Sequence, residues 1–182
     1  MTKALIVIDY TNDFIAENGA LSCGEPGRAI ESYIALTIDE FISRGDRVVF
    51  AVDTHRLNDQ RHPESRLFPP HNIGGTPGRD LFGFVGGAYV KHIDNKNVKW
   101  IDKTRYSAFA GTDLDLWLRN EAVSEVHLVG VCTDICVLHT AVDAYNLSYS
   151  IVVHKDGVAS FDPVGHDWAL SHFKNVLGAA VI

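Results

Sequence analysis

Two thiols four residues apart, Cys132 and Cys136, close the apolar run at 126–131. Residues 134–145 return to a helical period, with Val137/Leu138, Ala141/Val142 and Tyr145 on one face. If the helix starts near Thr133 or Asp134, Cys136 falls in its first turn. There the backbone N–H groups lack intrahelical partners and the macrodipole favours negative charge. Both effects lower a thiol's pKa and favour the thiolate nucleophile, and the same N–H groups can receive an oxyanion. The competing reading is that Cys136 is a small core residue, the common fate of a free cysteine. Cys132, at the strand end, lacks the full helix-start advantage.

Other chemical side chains also stand at the ends of apolar runs. Asp9 ends residues 4–8, where a carboxylate is costly unless it is paired or has its pKa raised. Such a group suits a general base beside a thiol, although it could equally cap the loop that follows. Lys103 follows residues 98–101 and would be an ordinary surface lysine without that company. Asp53 and His55 follow residues 48–52, two apart, so an extended backbone points both to the same side. Glu64, in His62-Pro63-Glu64-Ser65, and His71, after Phe68-Pro69-Pro70, complete a set of two imidazoles and two carboxylates. That set suits Zn²⁺, Mn²⁺ or Fe²⁺ with water finishing the shell. A polar loop in a chain with nine histidines is the plainer alternative.

The elements that must carry these residues are legible from apolar patterning. Residues 4–8, 48–52, 98–101, 126–131, 149–153 and 179–182 read as strands, the continuous apolar runs among them as strands buried on both faces. Residues 27–44, 112–122, 134–145 and 164–177 read as helices, and Gly45-Asp46 stops the first. The stretch from 54 to 97, rich in Pro and Gly, reads as a long irregular segment, with Tyr89-Val90 leading into the third strand. Strand–helix alternation predicts an α/β fold, a parallel sheet with helices on both faces. Ligands of such sheets bind beyond the carboxyl ends of the strands, where the strand order reverses. Asp9, Asp53, His55, Lys103, Cys132 and Cys136 all map to that edge.

Totals narrow the function class. The 182 residues fit one domain, residues 1–182, with no linker or repeat. Sixteen basic against 23 acidic residues give a net charge of −7, which argues against nucleic acid or an anionic membrane as partner. Three irregularly spaced cysteines are no disulfide framework, and neither a signal peptide nor a membrane span is visible, so a reducing cytoplasm is expected.

Taken together these residues resemble the isochorismatase-like cysteine hydrolases, and within them the nicotinamidase branch. The likeness runs over nearly the whole chain: 4–9 with Asn12-Asp13-Phe14, Asp53-Thr54-His55, His62-Pro63-Glu64-Ser65, Phe68-Pro69-Pro70-His71, Lys103 with Tyr106-Ser107-Ala108-Phe109, and, most specific, 130–137 leading to Thr140-Ala141. No departure falls at a position that matters. The resemblance implies a three-layer fold whose six-stranded parallel sheet has the order 3-2-1-4-5-6. It implies an Asp9–Lys103–Cys136 triad and one divalent ion, zinc before manganese or iron, on Asp53, His55 and His71, with Glu64 ligating or close by. It further implies a cis Val131–Cys132 peptide that aims the Cys132 and Cys136 amides at an oxyanion. Phe14, Phe68 and Tyr106 would pack on the substrate ring, and the substrates would be small amides, nicotinamide and pyrazinamide. A homo-oligomer is a family-level expectation. The rival on the same scaffold is another small-amide or N-carbamoyl-amine hydrolase; a rival of another class is a non-enzymatic thiol- or metal-sensing module.

Overall fold

In a computed structural model, which describes residues 2–182, six strands form one sheet. They are β1 (Thr2–Ile8), β2 (Arg47–Asp53), β3 (Val98–Lys103), β4 (Val123–Val131), β5 (Ser150–Ala159) and β6 (Ala180–Val181). All pairings are parallel and the order is β3-β2-β1-β4-β5-β6, as the resemblance implies. β1 and β4 are neighbours, with Ile8 opposite Gly130, so the switch point lies between the strands that end beside Asp9 and Cys132.

The apolar runs are continuous because the sheet is covered on both faces. Along β1, Ala4, Ile6 and Ile8 enter one core while Leu5 and Val7 enter the other. Helices α1 (Asn12–Ile15), α2 (Gly24–Ala29), α3 (Glu31–Ser43) and α4 (Gly83–His92) cover the Leu5 face, through Ile34, Ile38, Phe41 and Val85. Helices α5 (Leu114–Asn120), α6 (Leu138–Asn146) and α7 (Pro163–Asn175) cover the Ile6 face, through Leu118, Ala141, Ala144 and Phe173. Gly45, at φ +78°, ends α3 as expected: its N–H donates to the Ile42 carbonyl and that of Asp46 to the Phe41 carbonyl. No helix among the described residues is long and apolar enough to cross a membrane.

Three readings need correction. The helix expected over 27–44 is two helices that meet at Ile30. The stretch 54–97 is not structureless: Tyr89 and Val90 lie in α4. Its glycines disguised it, yet Val85 and Ala88 are buried and the N–H of Phe84 is capped from outside by Glu31 Oε1 at 2.6 Å. The segment 133–137 is a π-helical turn that precedes α6 rather than the helix's own first turn.

Candidate active site

Three of the candidate side chains, Asp9, Asp53 and Lys103, stand at strand ends. Asp9 leaves β1 at φ +55°, a conformation Asp tolerates better than most residues. Its Oδ1 accepts from the Asp53 N–H at 2.8 Å, which locks the ends of β1 and β2 together. Asp53 and Lys103 are the last residues of β2 and β3 and face each other in register. Cys136 lies in the π-helical turn beyond β4. Thr140, fully buried in α6, donates its hydroxyl to the Cys136 carbonyl at 2.7 Å and accepts from the Ala108 N–H at 3.0 Å. That ties the turn to the loop carrying Tyr106.

Lys103 is the hub of this group. Its ammonium, with no solvent exposure, lies 2.6 Å from Asp53 Oδ1, 2.7 Å from Asp9 Oδ2, 3.1 Å from the Arg105 carbonyl and 3.7 Å from Cys136 Sγ. Burial works against its charge, but the two carboxylates outweigh burial and hold it protonated. Asp9 is pushed up to about 6, first by burial and then by the charge of Asp53, against the pull of Lys103. The same burial acts on Asp53, where Lys103 and His55 prevail and keep the carboxylate below its usual range. Cys136 corrects an expectation. Burial pushes its thiol well up, and the neighbouring carboxylates add to that, so Lys103 and the turn do not make a resting thiolate. A nucleophilic role would require that proton to be taken. Asp9 is placed to do so: its Oδ2 is paired with the Lys103 ammonium at 2.7 Å, and carboxylate oxygens of Asp9 and Asp53 gather within 4.8 Å of Sγ.

The second group is Asp53, His55, Glu64 and His71, whose donor atoms lie within 4.8 Å of one another, all buried. His71 Nδ1–H donates to the Pro69 carbonyl at 2.8 Å, which leaves the Nε2 lone pair facing the cluster. Asp53 Oδ2, His55 Nε2 and His71 Nε2 are buried without hydrogen-bond partners. Three orphaned acceptors converging on one point are what a cation satisfies, so the residues fit a divalent ion. His71 responds to the same field: burial lowers its pKa, but Glu64 and the Pro69 carbonyl overcome that and raise it. His62 stays outside the cluster. Its Nε2–H donates to the Thr104 carbonyl at 2.7 Å and its Nδ1 accepts from the Glu64 N–H at 3.3 Å, so it holds Glu64 in place.

The two groups share Asp53 and flank one narrow cavity. Phe14, Phe68, Tyr106, Cys132 and Cys136 line it. Val131 does not; its side chain packs in the core on the α3 face. The peptide joining it to Cys132 is cis. Leu21, Ile135 and Phe161 also line the cavity and were not foreseen. Phe161 had a signal: it follows the carboxyl end of β5, the edge where the other site residues lie. A larger cavity of about 410 Å³ lies on the other side of His55, Glu64 and His71, among Arg56, Asn58 and Arg66. No cysteine lines it.

Comparison with known proteins agrees with this fold. The isochorismatase domain matches residues 3–182. The isochorismatase family protein PncA of Bacillus subtilis is 64% identical over 181 residues, covering 100% of this chain and 99% of the relative. The crystal structure of nicotinamidase/pyrazinamidase PncA from Bacillus subtilis superposes with a TM-score of 0.98 at 64% identity, over 100% of this chain and 99% of that one. The pyrazinamidase of Pyrococcus horikoshii in complex with zinc superposes with a TM-score of 0.88 at 28% identity, again over 100% and 99%. The chain belongs to the isochorismatase family.

Proposed function

We propose that this protein hydrolyses nicotinamide to nicotinic acid and ammonia through a thioester on Cys136, with pyrazinamide as an alternative substrate. The observation that carries the reading is the sharing of Asp53: one carboxylate joins a thiol–acid–amine group to a metal-type group across a single cavity. The names of the Bacillus and Pyrococcus neighbours supply the substrate class, an aromatic carboxamide.

Asp9 Oδ2 takes the thiol proton, and Sγ attacks the carboxamide carbon. An acid near 6 can both accept and return a proton close to neutrality. The developing oxyanion is received by the backbone N–H groups of Cys132 and Cys136. As the C–N bond breaks, Asp9 returns the proton to the departing ammonia. A water that gives a proton to Asp9 then attacks the thioester carbon; the C–S bond breaks, Asp9 returns that proton to Sγ, and nicotinic acid leaves. Lys103 keeps positive charge beside every anionic stage, at 2.7 Å from Asp9 and 3.7 Å from the sulfur. Asp53, His55 and His71, with Glu64 beside or among them, would hold one divalent ion, zinc being favoured by the Pyrococcus complex. Such an ion supplies a Lewis-acidic position for the ring nitrogen, which orients the ring and withdraws electrons from it. Phe14, Phe68 and Tyr106 pack around the ring.

Two assays test this. Cys136→Ala should abolish ammonia release and leave metal content intact; turnover near wild type would overturn the nucleophile assignment. Benzamide, which lacks the ring nitrogen, should be cleaved at least ~10-fold less efficiently than nicotinamide. Equal cleavage would overturn the role given to the ring nitrogen.

A further inference from the structure

The tripeptide Asn12-Asp13-Phe14 does more than contribute one aromatic wall. Asn12 Nδ2 donates to the Pro77 carbonyl at 2.8 Å. Asp13 Oδ2 accepts from the Asn72 N–H at 2.7 Å, and its Oδ1 from the Ala20 N–H at 3.4 Å. The ring of Phe14 lies 5.2 Å from that of His71, centroid to centroid. All three side chains therefore act on the segment that carries His71.

Asn72 is where these contacts meet. It is fully buried, at φ +44°. Its N–H goes to Asp13, its carbonyl accepts from the His55 N–H at 3.0 Å, and its Oδ1 accepts from the buried Thr11 hydroxyl at 2.8 Å. Its Nδ2 has no partner. Left-handed backbone and an unpaired buried amide both work against stability. What the arrangement secures is geometry: the backbone beside His71 and the backbone of His55 are both referenced to one residue. Packing leaves Asp13 no latitude, because a Cβ on Gly78 would stand 2.3 Å from its Oδ2.

We infer that Asp13 and Thr11, acting through Asn72, are positioning residues that set the affinity of the His55–His71 site for its divalent ion. The inference rests on the metal reading above. It assigns a task to side chains that touch neither the ion nor the amide. Partners of this kind hold ligating imidazoles in one orientation, and their loss usually weakens metal binding about 10–100-fold.

The test is competition of the zinc-loaded protein against a chromophoric chelator. Asp13→Ala should weaken zinc binding by about 10–100-fold, and Asp13→Asn, which keeps an acceptor oxygen for the Asn72 N–H, should recover most of that loss. Thr11→Val, nearly the same shape without the hydroxyl, should weaken binding in the same direction; it carries the test if Asp13→Ala does not fold. Far-ultraviolet circular dichroism of each folded variant should match wild type. Wild-type zinc affinity in Asp13→Ala and Thr11→Val would overturn the inference, as would a loss in Asp13→Asn equal to that in Asp13→Ala. Failure of the wild-type protein to hold zinc would instead strike the metal reading on which it rests.

Discussion

Lys103→Met removes a buried cation and keeps the side chain's length. Four interactions vanish, with Asp53 at 2.6 Å, Asp9 at 2.7 Å, the Arg105 carbonyl at 3.1 Å and Cys136 Sγ at 3.7 Å. Two fully buried carboxylates are left without a counter-charge. Removing one partner from a buried ion pair costs about 3–5 kcal/mol. Coulomb repulsion is of the same size: carboxylate oxygens no more than 4.8 Å apart at an effective dielectric of ~20 repel by at least about 3 kcal/mol. In a chain of this length that lowers Tm by about 6–20 °C. Urea denaturation of metal-free protein at pH 7 reads the loss, since an ion at Asp53 would offset it. The penalty has a predictable pH dependence. Without Lys103 the carboxylates have folded pKa values above their unfolded ones, so the cost is present above the folded pKa and relieved as pH falls through it. The gap between variant and wild type should therefore narrow toward pH 5. Asp9→Asn added to Lys103→Met should restore much of the stability, because it removes one of the repelling charges. A single variant as stable as wild type, or a double variant no better than the single, would refute the account of Lys103 as a charge hub.

Two further outcomes follow from groups outside the site. His154, 6% exposed, shares a buried chain with Tyr33 and His127, each contact 2.8 Å, and burial followed by the charge of His127 depresses its pKa to about 4. The unfolded chain takes up this proton first as pH falls, so stability should drop between about 6.5 and 4, by at most about 3 kcal/mol from this ring. His154→Gln should show a shallower fall in urea midpoint over that range, and a slope unchanged from wild type would disprove it. Gly130→Ala would place a methyl 2.0 Å from the Ile8 carbonyl oxygen at φ +116°. It should cost more than about 3 kcal/mol or prevent folding, because the atom it meets is backbone of the adjacent strand, and wild-type Tm would refute that.

The sheet was legible because each buried strand is a short apolar run and each run ends in a chemical residue. That alone brings Asp9, Asp53, Lys103 and Cys136 to one edge. Helix α4 was hidden, since Gly83, Gly86 and Gly87 speak for a loop and the cap on Phe84 comes from Glu31, 53 residues away. The protonation state of Cys136 was hidden for a related reason. A helix start argues for a thiolate, but complete burial beside two carboxylates is a property of the assembled site, and it wins.

Asp53 shows most clearly what spacing can and cannot tell. Its distance of two residues from His55 marks it as a candidate ligand and nothing more. Only the register of β2 with β3 sets it opposite Lys103, so that Oδ1 pairs with the ammonium while Oδ2 faces the histidines. One carboxylate thus couples the two groups. With an ion on Oδ2, the hold of Oδ1 on Lys103 would weaken and that positive charge would shift toward Asp9 and the sulfur. On this account, zinc loading should lower the pKa of the Cys136 thiol. The rate of its alkylation by iodoacetamide as a function of pH, with and without zinc, measures that directly. A profile that does not move on loading would leave the ion a role in holding the ring and none in activating the nucleophile.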